Sequence, residues 1–356
     1  MSIDPIEHGA LDFAELERLG LNPDDILDFS VNSNPFGPSP LVQEAIARTP
    51  LHRYPDRESL SLRRALGKKL DVAMEQILVG NGSAELIQLA ALAFLRPADS
   101  ALVLGPTFGE YARAARLAGA DVTVENLFAT ESTEILKRVF SVRSVANCPF
   151  RVVFICNPNN PTGQCLPDGM LASWAAAHPE TIFIVDEAYL PFVSGMPSAL
   201  ALNAANILVL RSMTKDHALA GLRLGYAVGP VDLIATLTRL RPPWNVNALA
   251  QAAGLAALQD EAHLAQTLAQ LRHEKDRLVC GLQTLGYSPV PSQTHFFLLP
   301  VDNGAAFRSA LLAHGILVRD CASFGLPQSI RIAPRRPAEN LRLLEVLQAF
   351  FKTTLS

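Results

Sequence analysis

The sequence predicts an α/β fold: a mostly parallel central sheet in a large domain, joined to a smaller α+β domain. Three observations carry this. Short apolar runs alternate with amphipathic stretches from Gln76 to Leu210, the pattern of strands covered by helices. The chain has 356 residues, 49% hydrophobic and 18% charged, enough to bury a large core and divide it between two units. A long alanine-rich helical stretch, Asn245 to Leu285, is suited to bridging them. The expected division is residues 1–44 as an N-terminal arm and part of the small domain, 45–245 as the large domain, and 246–356 as interdomain helix and small C-terminal domain.

In order, a short helical pattern (Leu11, Phe13, Leu16, Leu19) precedes Ile26–Ser30. The run Asn32-Ser33-Asn34-Pro35-Phe36-Gly37-Pro38-Ser39-Pro40 excludes helix and central strand. It is either a linker or a loop that brings asparagine amides to a site. Residues 59–70 read as a helix, and Gln76–Val79 as a strand leading into Gly80-Asn81-Gly82-Ser83-Ala84. Glycines before an amphipathic helix leave backbone N–H groups free for an anion, although an ordinary capped helix has the same appearance. Ala101–Leu104, Asp121–Glu125, Val152–Cys156, Ile182–Val185 and Ile207–Leu210 read as strands, with helices at Phe108–Leu117 and Asp168–Ala177. Beyond residue 290 come strands at His295–Leu299, Ile316–Val318 and Ile330–Ala333, and helices at Ala305–His314 and Pro337–Phe351.

A net charge of −4 gives no general attraction for nucleic acid or anionic lipid. Five cysteines without a C-x-x-C pair argue against a metal site or a disulfide framework. Residues Met1 to Gly9 have no apolar core of a signal peptide, and no apolar run approaches about 18 residues. A cytoplasmic globular protein is expected.

The informative residues stand at strand ends, where open α/β sheets bind ligands. Ile207–Leu210 delivers Ser212, Thr214 and Lys215 into a turn, with Arg223 eight residues past the lysine. Such a lysine is either an exposed turn residue or a desolvated amine able to form a Schiff base. Asn157 follows one strand in Asn157-Pro158-Asn159-Asn160-Pro161-Thr162-Gly163, and Asp186 follows another in Asp186-Glu187-Ala188-Tyr189. A buried acid needs a partner, either a basic side chain or a protonated heterocyclic nitrogen.

Taken together, these motifs resemble the class I/II aminotransferases, pyridoxal phosphate (PLP) enzymes of fold type I, over nearly the whole chain. The resemblance implies that Lys215 is the Schiff-base lysine, Asp186 the partner of the pyridinium, and Asn157 and Tyr189 the partners of the ring hydroxyl. Lys215, Asp186 and Tyr189 would be catalytic. Phe108 would stack on the ring, and Gly82, Ser83, Ala84, Ser212, Thr214 and Arg223 would hold the phosphate. Tyr54 matches a tyrosine that reaches the neighbouring subunit's phosphate, which implies a homodimer. An intact Lys215, Asp186 and Arg223 argue against a non-catalytic binding protein of this fold.

Two activities within the family fit a small phosphorylated amino-acid substrate. His8-Gly9, Leu27-Asp28-Phe29-Ser30, Pro243–Ala250 and Val318-Arg319-Asp320-Cys321-Ala322 look like threonine-phosphate decarboxylase of cobalamin biosynthesis. Ala10 and Ser33 depart from that pattern. Decarboxylation is therefore expected, with histidinol-phosphate aminotransferase or a related transaminase as the alternative. Arg331 matches the arginine that holds the substrate carboxylate, and Arg319 one that meets its phosphate. His8 and Asn32 complete the expected substrate residues, with Asn157.

Overall fold

The computed structural model describes residues 9–127 and 150–354. Its first strand is β1 (Leu27–Asp28), and seven more follow up to residue 228. They are β2 (Ile77–Gly80), β3 (Ser100–Gly105), β4 (Asp121–Asn126), β5 (Phe150–Cys156), β6 (Ile182–Asp186), β7 (Ile207–Ser212) and β8 (Gly225–Val228). Strands β2 to β8 form one sheet in the order β2-β8-β7-β6-β5-β3-β4. All neighbours run parallel except β8, which is antiparallel to both β2 and β7. The expected parallel core is present; β8 is the addition that Gly225 makes possible. A Cβ there would meet the Ser83 nitrogen and the Arg211 carbonyl, each at 2.8 Å.

Alternation along each strand assigns its two faces. Ala101 and Val103, Ile182 and Ile184, and Leu208 and Leu210 pack under helices Gly82–Phe94, Glu110–Leu117 and Val231–Leu240. Leu102 and Leu104, Phe183 and Val185, and Ile207 and Val209 face the opposite side, against helix Met170–Ala177. Both faces are dry, so these strands read as unbroken apolar runs.

The helical stretch expected over Asn245–Leu285 is two helices, Ala248–Gln259 and Glu261–Thr284. Asp260 separates them: it leaves helical geometry at φ −112°, ψ 67°, and its carboxylate caps the second helix by accepting the His263 N–H. The proline-rich loop ends in a helix that pattern alone did not reveal, Pro40–Ala47. Ser39 is its N-cap and Pro40 its first residue, the position where a missing N–H costs least.

Beyond residue 296, β9 (Phe297–Pro300), β11 (Arg319–Asp320) and β12 (Ser329–Ile332) form an antiparallel sheet in the order β11-β12-β9. The short β10 (Ile316–Leu317) pairs in parallel with β1. On that pairing we propose that the N-terminal arm and the C-terminal segment share one unit, divided from the large domain near residues 44 and 245. No helix among the described residues is long and apolar enough to cross a membrane.

Behind the ends of β6 and β7 lies a buried ion pair, Glu187 with Arg211, at 2.8 Å. Burial pushes the Glu187 carboxyl up; Arg211, the Ala199 N–H and the Ser198 hydroxyl hold it down. Removing only the cation leaves an uncompensated buried charge. Arg211→Met is expected to destabilise the protein by about 3–5 kcal/mol in urea unfolding, with much of the loss recovered by adding Glu187→Leu. A loss below about 1 kcal/mol would show the pair to behave like a surface bridge.

Candidate active site

The carboxyl ends of β5, β6 and β7 lead to one cavity of about 1290 Å³. Parallel pairing sets the depth of each strand end: Cys156 is registered with Asp186, and Asp186 with Leu210. The Asn157 N–H returns to the Asp186 carbonyl at 2.9 Å, and Asn157 Oδ1 accepts the Leu166 N–H at 2.9 Å. These bonds tie the turn after β5 to the end of β6.

Asp186 is 3% exposed. Burial pushes its carboxyl up; the Ala188 N–H and the Tyr111 hydroxyl, each donating at 2.9 Å, and the Lys215 charge work against this. Among the described residues its oxygens make no ion pair. A carboxylate removed from water without a cation is costly, and a protonated ring nitrogen would supply what is missing.

Lys215 lines the cavity three residues beyond β7 and is only partly exposed. The surrounding protein and the charges of Arg331 and Arg223 push its ammonium down to about 8, opposed by Asp186. Its turn is braced from the N-terminal loop. The Asn34 N–H donates to the Lys215 carbonyl at 2.8 Å, and Asn34 Nδ2 donates to the Asp216 carbonyl at 3.0 Å and Thr267 Oγ1 at 2.9 Å.

An anion cup adjoins this lysine. Ser83 and Ala84, in the first turn of helix Gly82–Phe94, line the cavity with Thr214 and Arg223. The first N–H groups of a helix have no partner within it and sit at its positive end. Gly82 has φ +79°, and a Cβ there would stand 2.8 Å from Arg223 Nη2, so glycine lets the guanidinium close on the helix start. Ser212 and Thr214 share a hydroxyl hydrogen bond at 2.7 Å. An amine, a buried carboxylate and an anion cup fit the aldehyde, ring nitrogen and phosphate of PLP.

The opposite wall is basic. Antiparallel register places Arg319 across from Arg331, and both line the cavity while nearly buried. Arg331 donates to Asn160 Oδ1 and, at 2.6 Å, to the Ser30 carbonyl, with its guanidinium 5.6 Å from the Phe296 ring centre. Among the described residues it makes no ion pair, which leaves its charge available to an anionic ligand. Arg319 donates to Ser323 Oγ at 2.6 Å and lies 5.3 Å from the Phe324 ring centre. Tyr189 is buried between these walls, its phenol pushed up by burial and its oxygen 3.4 Å from Asn32 Nδ2.

Of the residues singled out from sequence, Asn32, Ser83, Ala84, Phe108, Asp186, Tyr189, Thr214, Lys215, Arg223, Arg319 and Arg331 share this cavity. Gly82, Asn157 and Ser212 do not line it: Gly82 abuts Arg223, Asn157 Oδ1 accepts the Leu166 N–H, and the Ser212 hydroxyl bonds to that of Thr214. Tyr54 does not line it: the side chain is 80% exposed and stacks on Trp244 at 4.7 Å. His8 lies outside the described residues. Sequence reasoning missed Tyr111, which holds Asp186, and Asn160 and Ser30, which hold Arg331. Asn160 stood within the polar run after β5, but nothing local showed which asparagine would cross to the arginine.

The family model for aminotransferase class I and II matches residues 24–347. Histidinol-phosphate aminotransferase of Symbiobacterium thermophilum is 37% identical over 341 residues, covering 93% of this chain and 92% of that one. Among solved structures, a putative histidinol-phosphate aminotransferase from Erwinia carotovora atroseptica has a TM-score of 0.83 at 28% identity, covering 93% and 97% of the two chains. A histidinol-phosphate aminotransferase from Sinorhizobium meliloti in complex with pyridoxal-5'-phosphate shares the fold, with a TM-score of 0.82 at 23% identity and 96% of each chain covered. Further curated relatives at 33–37% identity carry the same name, and they overturn the expected threonine-phosphate decarboxylase. The motifs that suggested it lie on a fold common to both activities: a decarboxylase of that type from Porphyromonas gingivalis has a TM-score of 0.79 at 26% identity. The chain belongs to the class I and II aminotransferase family.

Proposed function

We propose that the protein transfers an amino group from histidinol phosphate to a 2-oxo acid, with its cofactor held at Lys215. The enzyme is PLP-dependent, and PLP supplies an electron sink for the bond that breaks at the substrate's amine-bearing carbon. The observation that carries the choice of substrate is the basic wall. Arg331 and Arg319 face the cavity side by side, and among the described residues Arg331 has no carboxylate partner. Histidinol phosphate carries a phosphate and no carboxylate. Paired guanidinium forks suit that dianion in one half-reaction and the carboxylate of the 2-oxo acid in the other.

The roles of the cavity-lining residues follow from their positions; Asn157 and Ser212 do not line the cavity, and their parts rest on the family resemblance. Lys215 Nζ would hold the cofactor's aldehyde carbon and, once displaced by the substrate amine, carry the proton that leaves the substrate carbon. Asp186 would accept a hydrogen bond from the ring nitrogen and keep it protonated. Tyr189, Asn157 and Phe108 would orient the ring, and the helix N-terminus with Ser83, Ala84, Ser212, Thr214 and Arg223 would bind the cofactor phosphate. Arg331→Ala is expected to raise KM for histidinol phosphate by about 100-fold, with a smaller effect on kcat, in an assay that follows glutamate formed from 2-oxoglutarate. Release of CO2 from threonine phosphate, with no glutamate from histidinol phosphate, would remove the proposed substrate.

The depressed Lys215 ammonium gives a pH dependence. Only the neutral amine attacks an aldehyde, and the folded protein sheds that proton through about pH 8. Capture of PLP by cofactor-free protein, followed by visible absorbance, should accelerate through that pH and level off above it. Lys215→Ala should abolish both capture and turnover. A rate unchanged between about pH 7 and pH 9 would contradict the role given to Lys215.

We also propose a cytoplasmic homodimer, supported by the exposed stack of Tyr54 on Trp244, which offers an aromatic surface to a second copy. If Tyr54 serves the neighbouring site, mixing the inactive variants Lys215→Ala and Tyr54→Ala after co-refolding should restore activity. Each mixed dimer then contains one complete site. A mixture no more active than its two components would show that Tyr54 does not serve the neighbouring site.

A further inference from the structure

The Asp186 carboxylate is held by a group that the catalytic roles above do not use. Tyr111 is 1% exposed, on helix Glu110–Leu117, and belongs to the cavity lining. Its hydroxyl donates to Asp186 Oδ2 at 2.9 Å, while Asp186 Oδ1 takes the Ala188 N–H. The ring is fixed on both sides: it packs edge-on to Phe108 at 5.7 Å and is stacked with Phe154 at 5.7 Å. Fully burying a tyrosine hydroxyl is costly without a partner, and here that partner is the acid itself.

We propose that Tyr111 is a positioning residue for the cofactor's ring nitrogen: its hydroxyl aims the Asp186 carboxylate and keeps it an acceptor, so the proton between acid and ring stays on the ring. The inference rests on Asp186 being the ring-nitrogen partner. Geometry supports the division of labour, since a carboxylate oxygen accepts more than one hydrogen bond, and the Tyr111 bond leaves capacity for the ring. Hydrogen bonds to the charged form of an acid favour that form. The other titratable neighbours do not compete for the role. Burial pushes the Cys156 thiol beside Tyr111 up to about 12, so it stays neutral, and Glu187 is engaged by Arg211. Tyr111 also pins Asp186 to the start of a helix whose lead-in carries Phe108, the proposed ring-stacking residue, and the Tyr111 N–H donates to the Phe108 carbonyl at 3.5 Å. One short element therefore sets both the cofactor plane and the direction of its nitrogen partner.

The test compares two ligands that differ at one atom: PLP and its 1-deaza analogue, in which C–H replaces the ring nitrogen. Both present the same aldehyde to Lys215 and the same phosphate to the anion cup. Each is titrated into cofactor-free full-length protein, with intrinsic fluorescence as the readout. Wild type should prefer PLP. Tyr111→Phe, which deletes one oxygen and keeps the ring packing, should weaken PLP binding about tenfold and binding of the analogue less than about twofold. Equal losses for both ligands would make Tyr111 a packing residue, and no loss for PLP would remove it from the site; either result overturns the proposal.

Incorporating 3-fluorotyrosine at position 111 retains the donor and should retain the wild-type preference. Loss of the preference there would also overturn the proposal. Asp186→Asn separates the two levels of inference. If wild type and Asp186→Asn bind both ligands alike, Asp186 itself is not the nitrogen partner, and the role of Tyr111 falls with it. If Asp186→Asn loses the preference while Tyr111→Phe keeps it, only the Tyr111 inference fails.

Discussion

A buried carboxylate that makes no ion pair among the described residues is the constraint around which this structure is arranged. Asp186 terminates a strand that is dry on both faces, and at 3% exposure little water reaches it to offset its charge. The protein supplies two hydrogen bonds and a nearby lysine, which lessen the cost without removing it. Much of the local architecture follows from the same need. Parallel register fixes how deep Asp186 sits, Tyr111 fixes where it points, and the turn after β7 sets Lys215 within electrostatic reach. The stability given up at this point is offset by the core formed on both faces of β3, β6 and β7.

The same economy governs the basic side of the cavity. Arg331 is held by a carbonyl and an amide, neutral groups that orient a guanidinium without neutralising it. A carboxylate in their place would give a tighter internal contact and a weaker receptor for anions. Lys215 likewise feels Arg331 and Arg223, whose charges help to lower its proton affinity and so favour the reactive amine. On the proposed roles, substrate recognition and lysine activation would be electrostatically coupled, and a change in the arginine wall should be felt at Lys215.

Much of this was legible in the sequence because the chemistry is concentrated at strand ends. Apolar runs located β3, β5, β6 and β7, and the first polar residues after them included Asn157, Asp186 and Lys215. Contacts that cross between distant segments were not legible. Tyr111 looked like one more aromatic on an amphipathic helix, and only the packed fold brings its hydroxyl to Asp186, 75 positions away. Asn160 and Ser30 reach Arg331 over still longer separations. The break at Asp260 was hidden because alanine-rich sequence on both sides favours helix, while the aspartate's capping role shows only in its backbone geometry. The decarboxylase expectation failed for a related reason. Its motifs report the shared scaffold, whereas the choice between losing CO2 and losing a proton depends on how the substrate sits over the ring.

The central claim is that one lysine, Lys215, anchors the cofactor in the cavity shared with Asp186 and Arg331. Loading the full-length protein with PLP, reducing the linkage with borohydride and mapping the modified peptide by mass spectrometry addresses it directly. The account predicts a single phosphopyridoxyl group on the peptide that contains Lys215. Stoichiometric modification of Lys275 or a surface lysine, with Lys215 unlabelled, would contradict it.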